Sequence, residues 1–299
     1  MDRIMEPSAG AAVVWSLAHG VLYVAAIYVS MALVRVEGAS IHDRDHPHII
    51  KRRMYGAGVA TLLSLAISGL LLHRWRAQQG EGVPGVLALL GLDVRAALPS
   101  TIVSLVLVGL LFLGPLVLDN LDGVFAWDSL KRVPQSLWSQ PECMRNYVVG
   151  PATEELVFRS AVVALWTAAG ISTELCVLVS PVIFGVAHVH RAVSRYVSEN
   201  IPLGSVVLST VLQLAYTTVF GWIAAALFVR THSVVGPIAA HVFCNVQGLP
   251  DPSRIANHPQ YKYPIWLAFV AGLAGFLVLF EPMTRPGVFV PSLRYTKAL

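Results

Sequence analysis

Long apolar stretches recur along the chain and are separated by short polar breaks. The cleanest of them cover about residues 9–34, 54–72, 100–118 and 264–280. A helix of about 20 apolar residues crosses the ~30 Å hydrocarbon core of a bilayer. Further apolar stretches are each interrupted by polar residues, at about residues 146–168, 174–190, 204–229 and 233–248. The pattern predicts about eight transmembrane helices.

The composition agrees with a membrane protein. Of the 299 residues, 56% are hydrophobic and 13% are charged, whereas soluble domains carry about 25% charged residues. The net charge of +4 forms no extended basic face of the kind that binds nucleic acid. The longest run of basic residues, Lys51-Arg52-Arg53, flanks an apolar stretch, as the cytosolic anchors of membrane helices do. We expect one domain over residues 1–299, an all-α polytopic integral membrane bundle with the lipid bilayer around it and no nucleic-acid partner.

The stretch at 146–168 contains two adjacent glutamates and an arginine. Charges in hydrocarbon cost several kcal/mol, so charged residues inside a span are functional candidates. Glu155 and Arg159 are four residues apart and can form an ion pair on one helix face. Glu154 points about 100° away from them. This division favours Glu154 as the reactive carboxylate, although a helix starting at the interface with solvated acids would explain the same residues.

Two other stretches carry polar groups at helical spacing. His188 follows Phe184 by four residues, and Asn245 follows His241 by four. Each alone is compatible with a structural role, because His and Asn also hydrogen-bond between membrane helices. If these residues meet the glutamates in a polar intramembrane cavity, that cavity contains a carboxylate base, a histidine and two hydrogen-bond donors. Those groups can activate water and stabilise an oxyanion.

The three motifs Glu154-Glu155-x-x-x-Arg159, Phe184-x-x-x-His188 and His241-x-x-x-Asn245 resemble those of the type II CAAX prenyl endopeptidases, in the same order. Further stretches resemble the eukaryotic branch of that family, and the resemblance covers at least residues 44–250. It implies an intramembrane glutamate protease, multi-pass in the endoplasmic reticulum membrane, with an active site open to cytosolic substrates. The implied substrates are prenylated (farnesylated or geranylgeranylated) CaaX proteins such as Ras-like small GTPases, which lose their aaX tripeptide.

The resemblance also implies a role for each motif residue. Glu154 would activate the water with help from His188, and His241 and Asn245 would form the oxyanion hole. Glu155 and Arg159 would support the site. All lie within residues 146–248 of a single transmembrane catalytic domain, and the chemistry needs no cofactor and no metal.

Three alternatives are compatible with the same residues. Zinc could be held by Glu154, His188 and His241, although no HExxH motif is present. Cys244 could act as a nucleophile beside His241, although an apolar helix does not favour a thiolate. A transporter or scaffold could use buried Glu and His residues to relay protons.

Overall fold

The computed structural model describes residues 8–33, 45–79, 83–124, 136–186, 192, 195–196 and 201–289. These residues form helices joined by turns, and none of them lies in a β-strand. The all-α fold class is therefore confirmed. The principal helices are α1 Ala9–Ala32, α2 Pro47–Gln79, α3 Val86–Leu89, α4 Val94–Leu111, α5 Leu113–Leu121, α6 at residues 141–168, α7 Thr173–Val186, α8 Leu203–Thr231, α9 Val235–Gln247, α10 Lys262–Met283 and α11 Pro286–Phe289.

Five helical segments within the described ranges are long and apolar enough to cross a membrane. They are Ala9–Ala32, Pro47–Gln79, Val86–Leu111, Leu203–Thr231 and Pro259–Met283. Large apolar side chains remain exposed along them, for example Leu267, Val270 and Leu277 on α10. Exposed apolar faces of this extent need lipid around them. The protein is thus a multi-pass membrane protein.

The helices that carry the three motifs are different. Helix α6 is interrupted by charges, and α9 has only 13 residues, which at 1.5 Å per residue reach about 20 Å, less than the ~30 Å hydrocarbon core. The described part of α7 has 14 residues. These three helices correspond to predicted stretches that are not among the five long apolar segments.

Two helix boundaries differ from the predicted ones for local reasons. Helix α2 begins at Pro47 rather than near residue 54, because proline is well suited to the first turn of a helix. The span predicted at 100–118 is divided at Phe112 into α4 and α5. Pro115 has no N–H to donate to the carbonyl four residues earlier, at Leu111, so the helix cannot continue unchanged through this point.

Helix α6 lies at the centre of the bundle. Its residues from Val157 to Trp166 are all buried. Val162, Leu165 and Trp166 pack in one apolar cluster with Leu72 of α2 and Phe228 of α8. This packing holds the Glu154–Arg159 segment in place between the surrounding helices.

The connection between α9 and α10 is fixed by charge outside the spans. Two short turns, Pro252–Asn257 and Pro259–Tyr261, form this connection. Arg254 of the first turn donates to Asp122, and its Nη2 also donates to Asp119 Oδ1 at 2.9 Å. The hydrogen bond from Arg254, and after it the one with His258, lowers the pKa of Asp122. The ion pairs therefore tie this connection to the end of α5.

Candidate active site

Glu155 and Arg159 form a fully buried ion pair in α6. The Glu155 side chain is 0% exposed and that of Arg159 is 1% exposed. Arg159 Nη1 donates to Glu155 Oε1 at 3.1 Å. Arg159 Nε lies 3.1 Å from Glu155 Oε2, without the alignment of a hydrogen bond. The i,i+4 spacing thus produces the expected pair, and the guanidinium neutralises Glu155.

His241 of α9 lies between the two glutamates. Its Nδ1 is 2.8 Å from Glu155 Oε1, and its Nε2 is 3.9 Å from Glu154 Oε2. An ionised carboxylate only accepts hydrogen bonds, so the proton at this contact is on Nδ1. Glu154 keeps 24% of its side chain exposed. One carboxylate is therefore sealed and holds the imidazole, while the other remains open beside it.

Aromatic rings enclose the guanidinium of Arg159. The ring centroids of Phe184 and Phe220 lie 5.1 and 5.8 Å from Arg159 Cζ, within range of cation–π attraction. Arg159 Nη2 also donates to the carbonyl of Gly221 at 3.4 Å. A Cβ at Gly221 would lie 2.5 Å from Pro181 Cβ, so glycine permits this close approach of α7 and α8. The second motif thus contributes Phe184 to the site.

Asn245 contacts α6 through a backbone carbonyl that the helix leaves free. Its Nδ2 donates to the carbonyl of Asn146 at 2.9 Å. Residues Arg145–Val149 form a π-helical stretch, in which the Gly150 N–H donates to the carbonyl of Arg145. The next residue, Pro151, has no N–H for the carbonyl of Asn146. A π-helical stretch followed by proline therefore presents an acceptor to Asn245.

Helix α1 supports the segment just before the glutamates. Tyr23 and Thr153 hydroxyls are 2.9 Å apart, and Thr153 Oγ1 donates to the carbonyl of Val149 at 2.7 Å. Because the Thr153 proton is used there, the Tyr23 hydroxyl is the donor to Thr153. The Tyr23 ring also packs edge-on against Phe158 at 5.9 Å.

Several known proteins are similar in sequence to this chain, and the similarity includes the region that holds these residues. A family model described as type II CAAX prenyl endopeptidase Rce1-like matches residues 136–247. The human CAAX prenyl protease 2 is 34% identical over 254 residues, covering 82% of this chain and 75% of the relative. The proteins of that name from Arabidopsis thaliana and Rattus norvegicus are 29% and 30% identical. They cover 94% and 82% of this chain, and the matches extend over 92% and 73% of the relatives. No solved structure matches the chain.

The chain belongs to the type II CAAX prenyl endopeptidases. The matched region of this prenyl endopeptidase begins just before α6 and ends at the last residue of α9. It therefore contains the two glutamates of α6 and also His241 and Asn245 of α9. Because it belongs to this family, the protein is a membrane-embedded peptidase.

One expected site residue of this endopeptidase, His188, lies outside the described residues. Helix α7 is described up to Val186. Among the residues that the structure does describe, no group of three His, Cys, Asp or Glu side chains could hold a metal ion. Cys244 is half-buried next to the motif.

Two contacts in this endopeptidase are not evident from sequence spacing. The bond between Glu155 and His241 joins residues on different helices, and the acceptor for Asn245 is a backbone carbonyl of Asn146. The sequence Gly150-Pro151 indicates that an acceptor for the second contact is available, because a proline inside a helix leaves a carbonyl of the preceding turn without its donor.

Proposed function

We propose that the protein removes the C-terminal aaX tripeptide from prenylated CaaX proteins, using a water molecule that Glu154 activates. The observation that carries this mechanism is the unequal environment of the two glutamates. Glu155 is sealed and neutralised by Arg159, whereas Glu154 is partly open and lies near His241. A general base must be accessible to the water that it deprotonates.

The attacking water would hydrogen-bond to Glu154 Oε2, and the oxygen of the scissile carbonyl would lie at His241 Nε2. These two protein atoms are 3.9 Å apart, so the water and the carbonyl group can lie side by side. Glu154 takes a proton from the water as its oxygen bonds to the scissile carbonyl carbon. When the C–N bond breaks, Glu154 passes that proton to the leaving amine of the tripeptide. In this scheme His188 would assist Glu154.

His241 and Asn245 would stabilise the oxyanion of the tetrahedral intermediate. Because Nδ1 donates to Glu155, Nε2 can donate only when the imidazole carries both protons. Asn245 uses one N–H on Asn146 and keeps the second for the oxyanion. Glu155 and Arg159 support the site by fixing the imidazole.

The finer cellular assignments are also proposals. We infer an active site that faces cytosolic substrates in the endoplasmic reticulum membrane, with Ras-like small GTPases among these substrates. The basic run Lys51-Arg52-Arg53 near the start of α2 supports a cytosolic position for that end of the bundle. Residues 1–299 would form a single catalytic domain whose core lies within residues 146–248.

The direct test is an assay of tripeptide release. Purified full-length protein in lipid vesicles is incubated with a farnesylated CaaX peptide, and the free tripeptide is measured by mass spectrometry. We expect multiple turnovers, whereas a transporter or scaffold releases no tripeptide. Absence of release from well-folded protein would overturn the proposal.

Two additional arms address the alternative chemistries. Metal analysis and turnover in a strong chelator test for zinc, and stoichiometric zinc with loss of activity on chelation would replace the Glu154 mechanism. Cys244→Ala tests the thiol, and we expect unchanged turnover because Cys244 makes no hydrogen bond to either Glu154 or Glu155.

A further inference from the structure

Arg145 lies beside the acceptor that holds Asn245. It is the residue before Asn146, and its Nε donates to the Asn146 side-chain Oδ1 at 2.9 Å. Its Nη1 donates to Asp45 Oδ1, just before α2, at 3.1 Å. The first contact fixes the orientation of the guanidinium from within α6, and the second places a carboxylate on it.

The carboxylate of Asp45 is replaceable. The Asp45 side chain is 76% exposed, whereas that of Arg145 is 19% exposed. Exposed ion pairs contribute little to stability, since water solvates the separated partners well. Arg145 is therefore a mostly covered, oriented arginine whose contact with Asp45 can be exchanged for a contact with another carboxylate.

We propose that Arg145 binds the free C-terminal carboxylate of the CaaX substrate in place of Asp45. This inference rests on the proposed function, because it assumes that the scissile bond lies between Glu154 and Asn245. A guanidinium suits the planar carboxylate, to which it can donate two parallel hydrogen bonds.

The length of the leaving tripeptide fits this arrangement. Glu154 and Arg145 are nine positions apart on α6, at most about 14 Å along the helix axis. Three extended residues reach about 10 Å, and the arginine side chain covers the remaining distance. Asn146, which holds Asn245, lies between the two positions. An anchor at Arg145 would thus set the cleavage point at three residues from the chain end.

The other arginine of α6 cannot perform this role. Arg159 is fully buried and already paired with Glu155. A substrate carboxylate brought to Arg159 would have to lose its water inside the bundle, which is costly. Arg145 lies toward the start of α6, beside the exposed Asp45, where a carboxylate remains partly hydrated.

The experiment compares two farnesylated CaaX peptides that differ only at their C-terminus, one a free acid and the other a carboxamide. The wild type should prefer the acid by about 10- to 100-fold in kcat/KM, the range of a charge-assisted contact. In Arg145→Gln the preference should disappear because acid cleavage falls, while amide cleavage remains at its wild-type rate. Retained amide cleavage shows that the variant is folded.

Two matched variants separate binding from structure. Asp45→Asn removes the same ion pair but leaves the arginine, so the acid preference should remain. Arg95→Gln removes another arginine that is ion-paired to an aspartate, Asp93, and should behave as wild type. Arg95 lies near the opposite end of α9 from Asn245, because Val234 donates to the carbonyl of Gly91 there.

The outcomes also distinguish this inference from the proposed function. If the wild type cleaves acid and amide equally, Arg145 does not anchor the carboxylate, although the protease assignment stands. If Asp45→Asn loses the acid preference as Arg145→Gln does, the ion pair is structural and the inference is wrong. If the wild type cleaves neither peptide, the proposed function itself fails.

Discussion

Two of the buried polar clusters in the part of the chain that the structure describes differ in charge. The first consists of Glu155, Arg159 and His241 and borders the half-open Glu154. The second, between α1, α2 and α6, is neutral. In it, His19 Nε2 and Ser68 Oγ are 3.0 Å apart, and Trp166 Nε1 donates to Ser16 Oγ at 2.7 Å. Its four residues are all almost completely buried.

Burial of polar groups therefore does not by itself identify the active site. Neutral hydrogen bonds between membrane helices hold the bundle together at little cost. An ion pair inside the bundle is costly to dehydrate, so its presence calls for a functional reason. In the mechanism that we propose, that reason is the imidazole of His241, which Glu155 holds beside the partly exposed carboxylate of Glu154.

The largest effect on turnover is expected from Glu154→Gln. The glutamine keeps the shape of the side chain but cannot accept the proton, so kcat should fall by about 10²–10⁴-fold. Stability should be nearly unchanged, because Glu154 is partly exposed and its contact with His241 is long. Tripeptide release and thermal unfolding in the same detergent measure both. Near-normal turnover would move the base to another residue.

The largest effect on stability is expected from Arg159→Leu. It leaves the carboxylate of Glu155 buried without its cation, and breaking such a pair costs about 3–5 kcal/mol. Thermal or denaturant unfolding of the purified protein measures the loss. The double variant Glu155→Leu/Arg159→Leu removes both charges and should recover most of the stability.

Activity should not recover in that double variant, since His241 has lost the acceptor for its Nδ1 proton. Recovery of stability together with turnover would show that the ion pair does not serve the imidazole. The neutral cluster offers no equivalent experiment, because removing one of its members leaves no charge behind.

The sequence allowed the charged cluster to be predicted in part. The i,i+4 spacing of Glu155 and Arg159 follows from helix geometry, and the apolar surroundings indicate that the pair is buried. The contact of Glu155 with His241 depends on how α6 packs against α9, which no local pattern specifies. The break at Phe112 and the free carbonyl of Asn146 follow from single prolines, whose effects depend on the register of the helix. The neutral cluster joins residues that are far apart in the sequence, so no local spacing predicts it.

A smaller effect on turnover is expected from Pro151→Ala. The new N–H can donate to the carbonyl of Asn146 and compete with Asn245. Complete loss of an oxyanion donor costs about 10²–10³-fold, so partial displacement of Asn245 should lower kcat about tenfold. KM should change little. Steady-state kinetics of the variant give both values.

A double-mutant cycle checks that Pro151 acts through Asn245. Asn245→Ala should itself lower kcat, and adding Pro151→Ala to it should cause no further loss. Additive losses would mean that Pro151 affects the site by another route, such as the position of Glu154.

The smallest effect is expected in the neutral cluster, from Ser68→Ala. One hydrogen bond to His19 is lost, and such bonds between membrane helices contribute about 0.6 kcal/mol on average. Ser64→Ala is the matched control, because Ser64 Oγ is buried on the same helix and makes no hydrogen bond with the part of the chain that the structure describes. Ser68→Ala should unfold slightly more easily than Ser64→Ala, as measured by thermal unfolding, and both should cleave the farnesylated peptide at the wild-type rate. A loss of turnover near that of Glu154→Gln would extend the catalytic machinery to α1 and α2 and remove the distinction between the two clusters.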